Sequence, residues 1–254
     1  MAPAPDPTYE VSVSTDDPLA GPLLVGLSNV GLAGLTAVDH LVTHLEFDQV
    51  GHVRSRGLPD ITPVEDGEPR HPMRLYTSPA GDYCVLLSEL FVPVWAADVF
   101  ADGLLEWIDA TEIDELAVFH GIPYPHGPEE HDVFSVATPE YRERRLGGTD
   151  VSPASGGVLD GVAGELTARS LEGEAPPLGA YITPTHPPGP DLGAALRYLG
   201  LLETVYGLEI DDEQLREHAA ELQRYFAELA DRMEALESQE GIANQSFPED
   251  RMFM

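Results

Sequence analysis

The chain has 254 residues and a formal net charge of −32, with 45 acidic residues against 13 basic ones, every basic one an arginine. Such a chain has no basic stripe with which to release counterions from phosphate, which excludes a nucleic-acid partner. The absence of lysine also excludes Schiff-base chemistry and a Walker A loop.

Residues 9–14 alternate as a first strand, and residues 22–27 are an apolar run bounded by glycine and asparagine, the pattern of a buried strand. Residues 28–35 turn into a helix reaching about Leu45, with Leu35, Val38, Leu41, Val42 and Leu45 at helical spacing. The next strand spans 49–55. Proline and acidic residues over 58–72 predict a loop or a short hairpin. Residues 73–77 and 83–89 read as two strands joined by a turn, followed by a helix over 94–108 and a buried strand over 115–119. A Pro/Gly/His loop over 123–130 leads to a strand at 133–137 and a short arginine-rich helix at 140–146. The glycine-rich segment 156–166 leads a further helix, 179–183 is the last strand, and helices over 192–206 and 212–237 close the pattern.

Strands alternating with helices predict an α/β fold, a mostly parallel sheet with helices on both faces. The expected domains are an α/β domain over 1–206, a C-terminal helical extension over 207–240 and a flexible tail over 241–254. Within the extension, Leu215, Ala219, Leu222, Phe226, Leu229, Met233 and Leu236 form a heptad seam. That seam packs either on its own domain or against a second subunit. Arg216, Gln223, Ala230 and Glu237 beside it make no charge code, which favours the first reading.

No apolar run approaches the roughly 18 residues of a membrane span, and the first residues are not those of a signal peptide, so a cytoplasmic protein is expected. Cys84, the single cysteine, reads as a small buried hydrophobe. The acidic, lysine-free composition suits molar salt, where the Debye length falls to about 3 Å and self-repulsion is screened. A basic partner in ordinary salt is the alternative, and the lack of lysine favours the halophilic reading.

Gly26, Gly31 and Gly34, with Ser28 and Asn29 between them, sit where a strand gives way to a helix, a place where backbone N–H groups can cradle an anion. Their spacing matches neither the dinucleotide fingerprint nor a phosphate loop, so close helix–sheet packing is the favoured reading and a ligand turn the other. His40 and His44 are four apart, but Leu41 stands where HExxH needs glutamate; they read as surface histidines. His120, His126 and His131, near Glu129 and Glu130, form the most metal-like group, without a recognisable zinc or iron spacing. Ser88 and Ser135 lack a nucleophile elbow. The expectation is therefore no catalytic constellation, no metal and no cofactor.

The final residues Met252, Phe253 and Met254 are an apolar end to an acidic chain. Burying such side chains is worth about 1.5–3 kcal/mol each, so they either fold back or seek a partner.

Four stretches together resemble the PAC2 family of proteasome assembly chaperone 2-like proteins. They are LVGLSNVGLAG at 24–34, YCVLLSE at 83–89, SGGVLDGVAG at 155–164, and PDLGAALR at 190–197 continuing to YGLEID at 206–211. The resemblance covers about residues 20–225 and implies a three-layer α/β fold, distantly like nucleoside phosphorylases; together with the acidic, lysine-free composition it suggests a haloarchaeal member. It implies a homo-oligomer, or a hetero-oligomer with a paralogue, that acts as a non-enzymatic chaperone or adaptor of the proteasome. Archaeal members can end in a hydrophobic–tyrosine–any-residue motif that inserts between α subunits of the 20S proteasome. Met252, Phe253 and Met254 match it with phenylalanine in place of tyrosine, a change that removes a hydrogen bond worth about 1 kcal/mol. The phosphorylase-like ancestry carries the competing expectation, a small-molecule binder or enzyme acting at the Gly26–Gly34 turn.

Overall fold

A computed structural model describes residues 7–124, 126–127, 130–186 and 189–244, and the side chains of 226–227, 230–231 and 233–244 lie outside that description. It divides into two units, Met1–Asp212 and Glu213–Met254.

In the first unit the strands are β1 (Thr8–Val13), β2 (Ala20–Leu27), β3 (Asp48–Arg56), β4 (Val64–Glu65), β5 (Glu68–Pro69), β6 (Met73–Thr77), β7 (Cys84–Ser88), β8 (Glu112–Ile122), β9 (Phe134–Ala137) and β10 (Leu178–Pro184). Eight of them make one sheet in the order β1-β3-β6-β7-β2-β8-β10-β9, while β4 and β5 pair as a separate small hairpin. The four central strands β7, β2, β8 and β10 are parallel. Antiparallel strands flank them, β6, β3 and β1 on one side and β9 on the other. The α/β reading holds, with its parallel part at the centre.

The chemistry of each strand follows its place. Every residue of β7 and of β10 is buried, and β2 is buried from Pro22 to Leu27, as expected for parallel strands covered on both faces. The β6–β7 connection is short enough for an antiparallel hairpin; in it Ser78 Oγ accepts from the amides of Asp82 and Tyr83, both at 3.1 Å.

The helices are α1 (Ala33–His44), α2 (Ala97–Ile108), α3 (Pro139–Tyr141), α4 (Gly161–Glu172) and α5 (Leu192–Tyr206). One layer is α2 with α4, whose Phe100, Leu104, Val162 and Leu166 share one hydrophobic core with Leu23 and Val25 of β2. The other is α1 with α5, and there Val38 closes on Gly26. Alternate residues of β2 thus serve opposite layers.

Several elements differ in detail from the sequence reading. The helix expected from residue 94 begins as a 3-10 turn, Val94–Ala96, behind Pro93, and becomes α-helical only at Ala97. The arginine-rich helix starts with Pro139 at its first position and continues as a π-helical turn, Arg142–Leu146. The glycine-rich lead is irregular up to the extended Asp160, so α4 begins only at Gly161. Cys84 is buried, and burial pushes its thiol up to about 11; it is a core residue.

The second unit is the helix α6 (Glu213–Asn244). It carries the heptad positions, of which Phe226, Met233 and Leu236 have side chains outside the described set. Among the described residues no helix is long and apolar enough to cross a membrane.

Candidate functional site

In open α/β sheets ligands gather at the carboxyl ends of the parallel strands. Here β2 and β8 end beside a cavity of about 510 Å³, lined by Ser28, Asn29, His120 and Asp160 among others. Asn29 donates from Nδ2 to the Phe119 carbonyl at 3.4 Å, and its buried Oδ1 has no hydrogen-bond partner among the described residues. Burial holds the His120 imidazole below its ordinary pKa, which favours the neutral ring. The cavity mouth is apolar: Phe91, Val94 and Val158 are 57, 60 and 94% exposed. Trp95, next in sequence to Val94, is 65% exposed. Pro93 opens that turn from an extended conformation. Clustered exposed apolar residues mark an interaction surface more often than isolated ones do.

The glycine turn beside this cavity is closed. A Cβ on Gly26 would lie 2.1 Å from Val38 Cγ2, and one on Gly34 would lie 2.5 Å from the Phe119 carbonyl oxygen. Gly31 has φ +77°, and a Cβ there would meet Thr185 Cβ at 2.6 Å. The Ser28 amide donates to Ser88 O at 2.8 Å, and Gly31 O accepts from the Asp191 amide at 2.7 Å. These glycines bring α1 close onto β2 and β8, while Ser28 and Asn29 face the cavity.

The histidines fall into separate groups. His40 and His44 stack with centroids 5.2 Å apart, and His40 Nε2 lies 2.8 Å from the Asp211 carbonyl. His120 belongs to the cavity. His126 and His131, from the β8–β9 loop, meet His186, which follows β10. One ring nitrogen from each of these three lies within 4.8 Å of the others. Sequence reasoning named the first two and missed His186, because its partners come from a different loop.

Ser88 and Ser135 are buried and donate to backbone carbonyls, of Leu90 at 2.7 Å and Ser152 at 3.3 Å; both hydroxyls serve the fold. Glu89, beside Ser88, is held by two arginines: Arg74 at 2.8 Å and Arg70 at 2.9 Å. Arg74 is fully buried, and its other donors reach Tyr76 Oη and the His71 carbonyl. The candidate docking residues Met252, Phe253 and Met254 lie outside the described residues.

Known structures share this architecture. A protein of unknown function from Thermoplasma acidophilum is 25% identical with a TM-score of 0.69, over 87% of this chain and 90% of that chain. Pyrococcus furiosus PbaA, an archaeal homolog of proteasome-assembly chaperone, is 20% identical with a TM-score of 0.76, over 93% of this chain and 97% of that chain. Pyrococcus furiosus PbaB, an archaeal proteasome activator, is 21% identical with a TM-score of 0.73, over 88% of this chain and 99% of that chain. A comparison with curated proteins gives no match. The model of the PAC2 family matches residues 23–230, most of the folded chain, and this protein belongs to the PAC2 family.

Proposed function

We propose that this protein is a non-enzymatic chaperone or adaptor of the proteasome. It docks on α subunits of the 20S particle through Met252, Phe253 and Met254. One observation carries the reading: a PAC2 match over residues 23–230 in a chain whose whole fold resembles PbaA and PbaB. Two features fit it. The cavity mouth offers exposed Phe91, Val94 and Val158 to another protein, and Trp95 beside Val94 is exposed as well. The filled space at Gly26, Gly31 and Gly34 weighs against an anion cradle and so against the phosphorylase-like alternative.

The docking step is short-range. Met252 and Phe253 fill an apolar slot, and molar salt screens long-range attraction while strengthening apolar burial. Several tails on a homo-oligomer, or on a hetero-oligomer with a paralogue, gain effective concentration over one weak peptide. On this reading the protein works in the cytoplasm with its partner.

The test is capture of 20S α subunits in molar KCl by the intact chain and by one ending at Arg251. Loss of capture with the last three residues is the expected result. Equal capture by both would move the interface to the folded domain, and no capture by either would overturn the proteasome reading.

A further inference from the structure

We propose that His126, His131 and His186 form a binding site for a divalent transition-metal ion, zinc being the ion that suits a three-imidazole donor set. The argument begins with protons. His126 Nδ1 lies 2.6 Å from the Tyr124 carbonyl oxygen. A carbonyl only accepts, so Nδ1 carries the hydrogen and Nε2 is left with its lone pair. That Nε2 is buried and has no hydrogen-bond partner among the described residues. His186 Nδ1 lies 2.8 Å from Asp191 Oδ2, so it too donates, and its Nε2 is the free acceptor. Metal-binding histidines are held in this way, one ring nitrogen fixed by a carbonyl or carboxylate and the other turned to the ion.

The carboxylate is itself anchored. Asp191 Oδ1 accepts from the Ala194 amide at 2.9 Å as the cap of α5, and Oδ2 also accepts from the His186 amide at 2.9 Å. Ring centroids are 4.9 Å apart for His126–His131, 4.9 Å for His126–His186 and 5.2 Å for His131–His186. Zinc–nitrogen bonds of about 2.0–2.1 Å in a tetrahedron put ligand nitrogens about 3.4 Å apart. The three nitrogens lie within 4.8 Å of one another, so side-chain rotation brings them onto an ion without refolding. Three imidazoles leave one tetrahedral position for water or an outside ligand. The nearby cation, Arg197, is engaged with Thr183 Oγ1 at 2.8 Å and the Pro184 carbonyl. Bound metal would clip the β8–β9 loop to the β10–α5 loop.

The test uses the full chain, stripped with chelator, in a His40→Ala/His44→Ala/His71→Ala background that breaks up the two other adjacent histidine pairs, His40–His44 and His52–His71. Titration with zinc chloride by calorimetry is expected to give one ion per chain. His126→Gln and His186→Gln should each weaken binding at least tenfold, and Asp191→Asn, which keeps a helix-capping oxygen, about tenfold. Cobalt(II) substitution should give a tetrahedral visible spectrum that these variants lose. Circular dichroism identifies which variants are folded, and Asp191→Asn supplies the comparison if a histidine variant is not. Zinc uptake with unchanged affinity in the folded variants, or no uptake by the parent, would overturn the site.

Discussion

Gly179 and Gly200 show how differently one residue type can be used. On β10, a Cβ at Gly179 would lie 2.2 Å from Tyr141 Cε1, so the missing side chain is what admits the ring. Tyr141 Oη then sits 3.0 Å from Tyr181 Oη and 2.6 Å from Tyr206 Oη, joining α3, β10 and α5. Gly179→Ala is expected to cost about 1–3 kcal/mol, as overpacking does. Gly200 lies exposed within α5 with nothing near its Cβ position. There alanine should gain about 0.5–1 kcal/mol. Denaturant midpoints of the two variants check both signs, and a stable Gly179→Ala would mean that Tyr141 has somewhere else to go. In the sequence a glycine inside a strand announces a close approach but not the partner. Tyr141 lies too far upstream for any local pattern to name it.

Between elements, the π-helical turn after α3 is tied to β8 by charge. Glu115 is fully buried on β8, and Arg145 Nε reaches its Oε1 at 2.7 Å, while Arg144 stands 3.5 Å from Oε2. The Arg145 guanidinium also lies 4.9 Å from the Tyr206 ring centroid. Burial raises the Glu115 pKa above the ordinary carboxylate range, and Arg145 opposes that rise. A raised folded pKa means that ionising Glu115 lowers stability as pH climbs through that value, and Arg145 limits the loss. Arg145→Ala is therefore expected to cost about 3 kcal/mol at neutral pH, the low end for a broken buried pair because Arg144 remains. The deficit should shrink as pH falls through the raised folded-state pKa, where the buried carboxyl gains its proton. Urea unfolding at several pH values measures it; a deficit independent of pH would assign Arg145 to packing on Tyr206 alone.

The elements themselves were largely legible. Period-two alternation located β1, an apolar run located β2, and helical spacing located α1. Interactions between elements were not: Glu115 read only as the start of a buried strand, since its cation comes from another segment. The same distance hid His186 from His126 and His131. At the proposed docking site only the residue types of Met252, Phe253 and Met254 could be read, and the structure's description stops before them.

For the molecule as a whole, the net charge of −32 acts through salt. At about 0.1 M the Debye length is roughly 10 Å, and at about 1 M it is roughly 3 Å. Carboxylates spread over one surface repel across the first distance and are screened at the second. Thermal midpoints should therefore rise steadily with KCl between about 0.1 and 1 M. A flat or falling midpoint would remove the reading of a protein suited to molar salt.

The strand order also has a consequence for synthesis. Leu23, Leu24 and Val25 of β2 are wholly buried, between neighbours that begin at Cys84 and Glu112. At a ribosomal pace of about 5–20 residues per second, the stretch from Leu27 to Cys84 takes roughly 3–11 s to make. During that interval the nascent chain carries this apolar strand without either neighbour. Glu46, Asp48, Asp60, Glu65, Asp66 and Glu68 emerge in the same interval. Charges flanking an unavoidable apolar strand keep neighbouring chains apart, so the carboxylates guard the polypeptide before it has a surface to put them on.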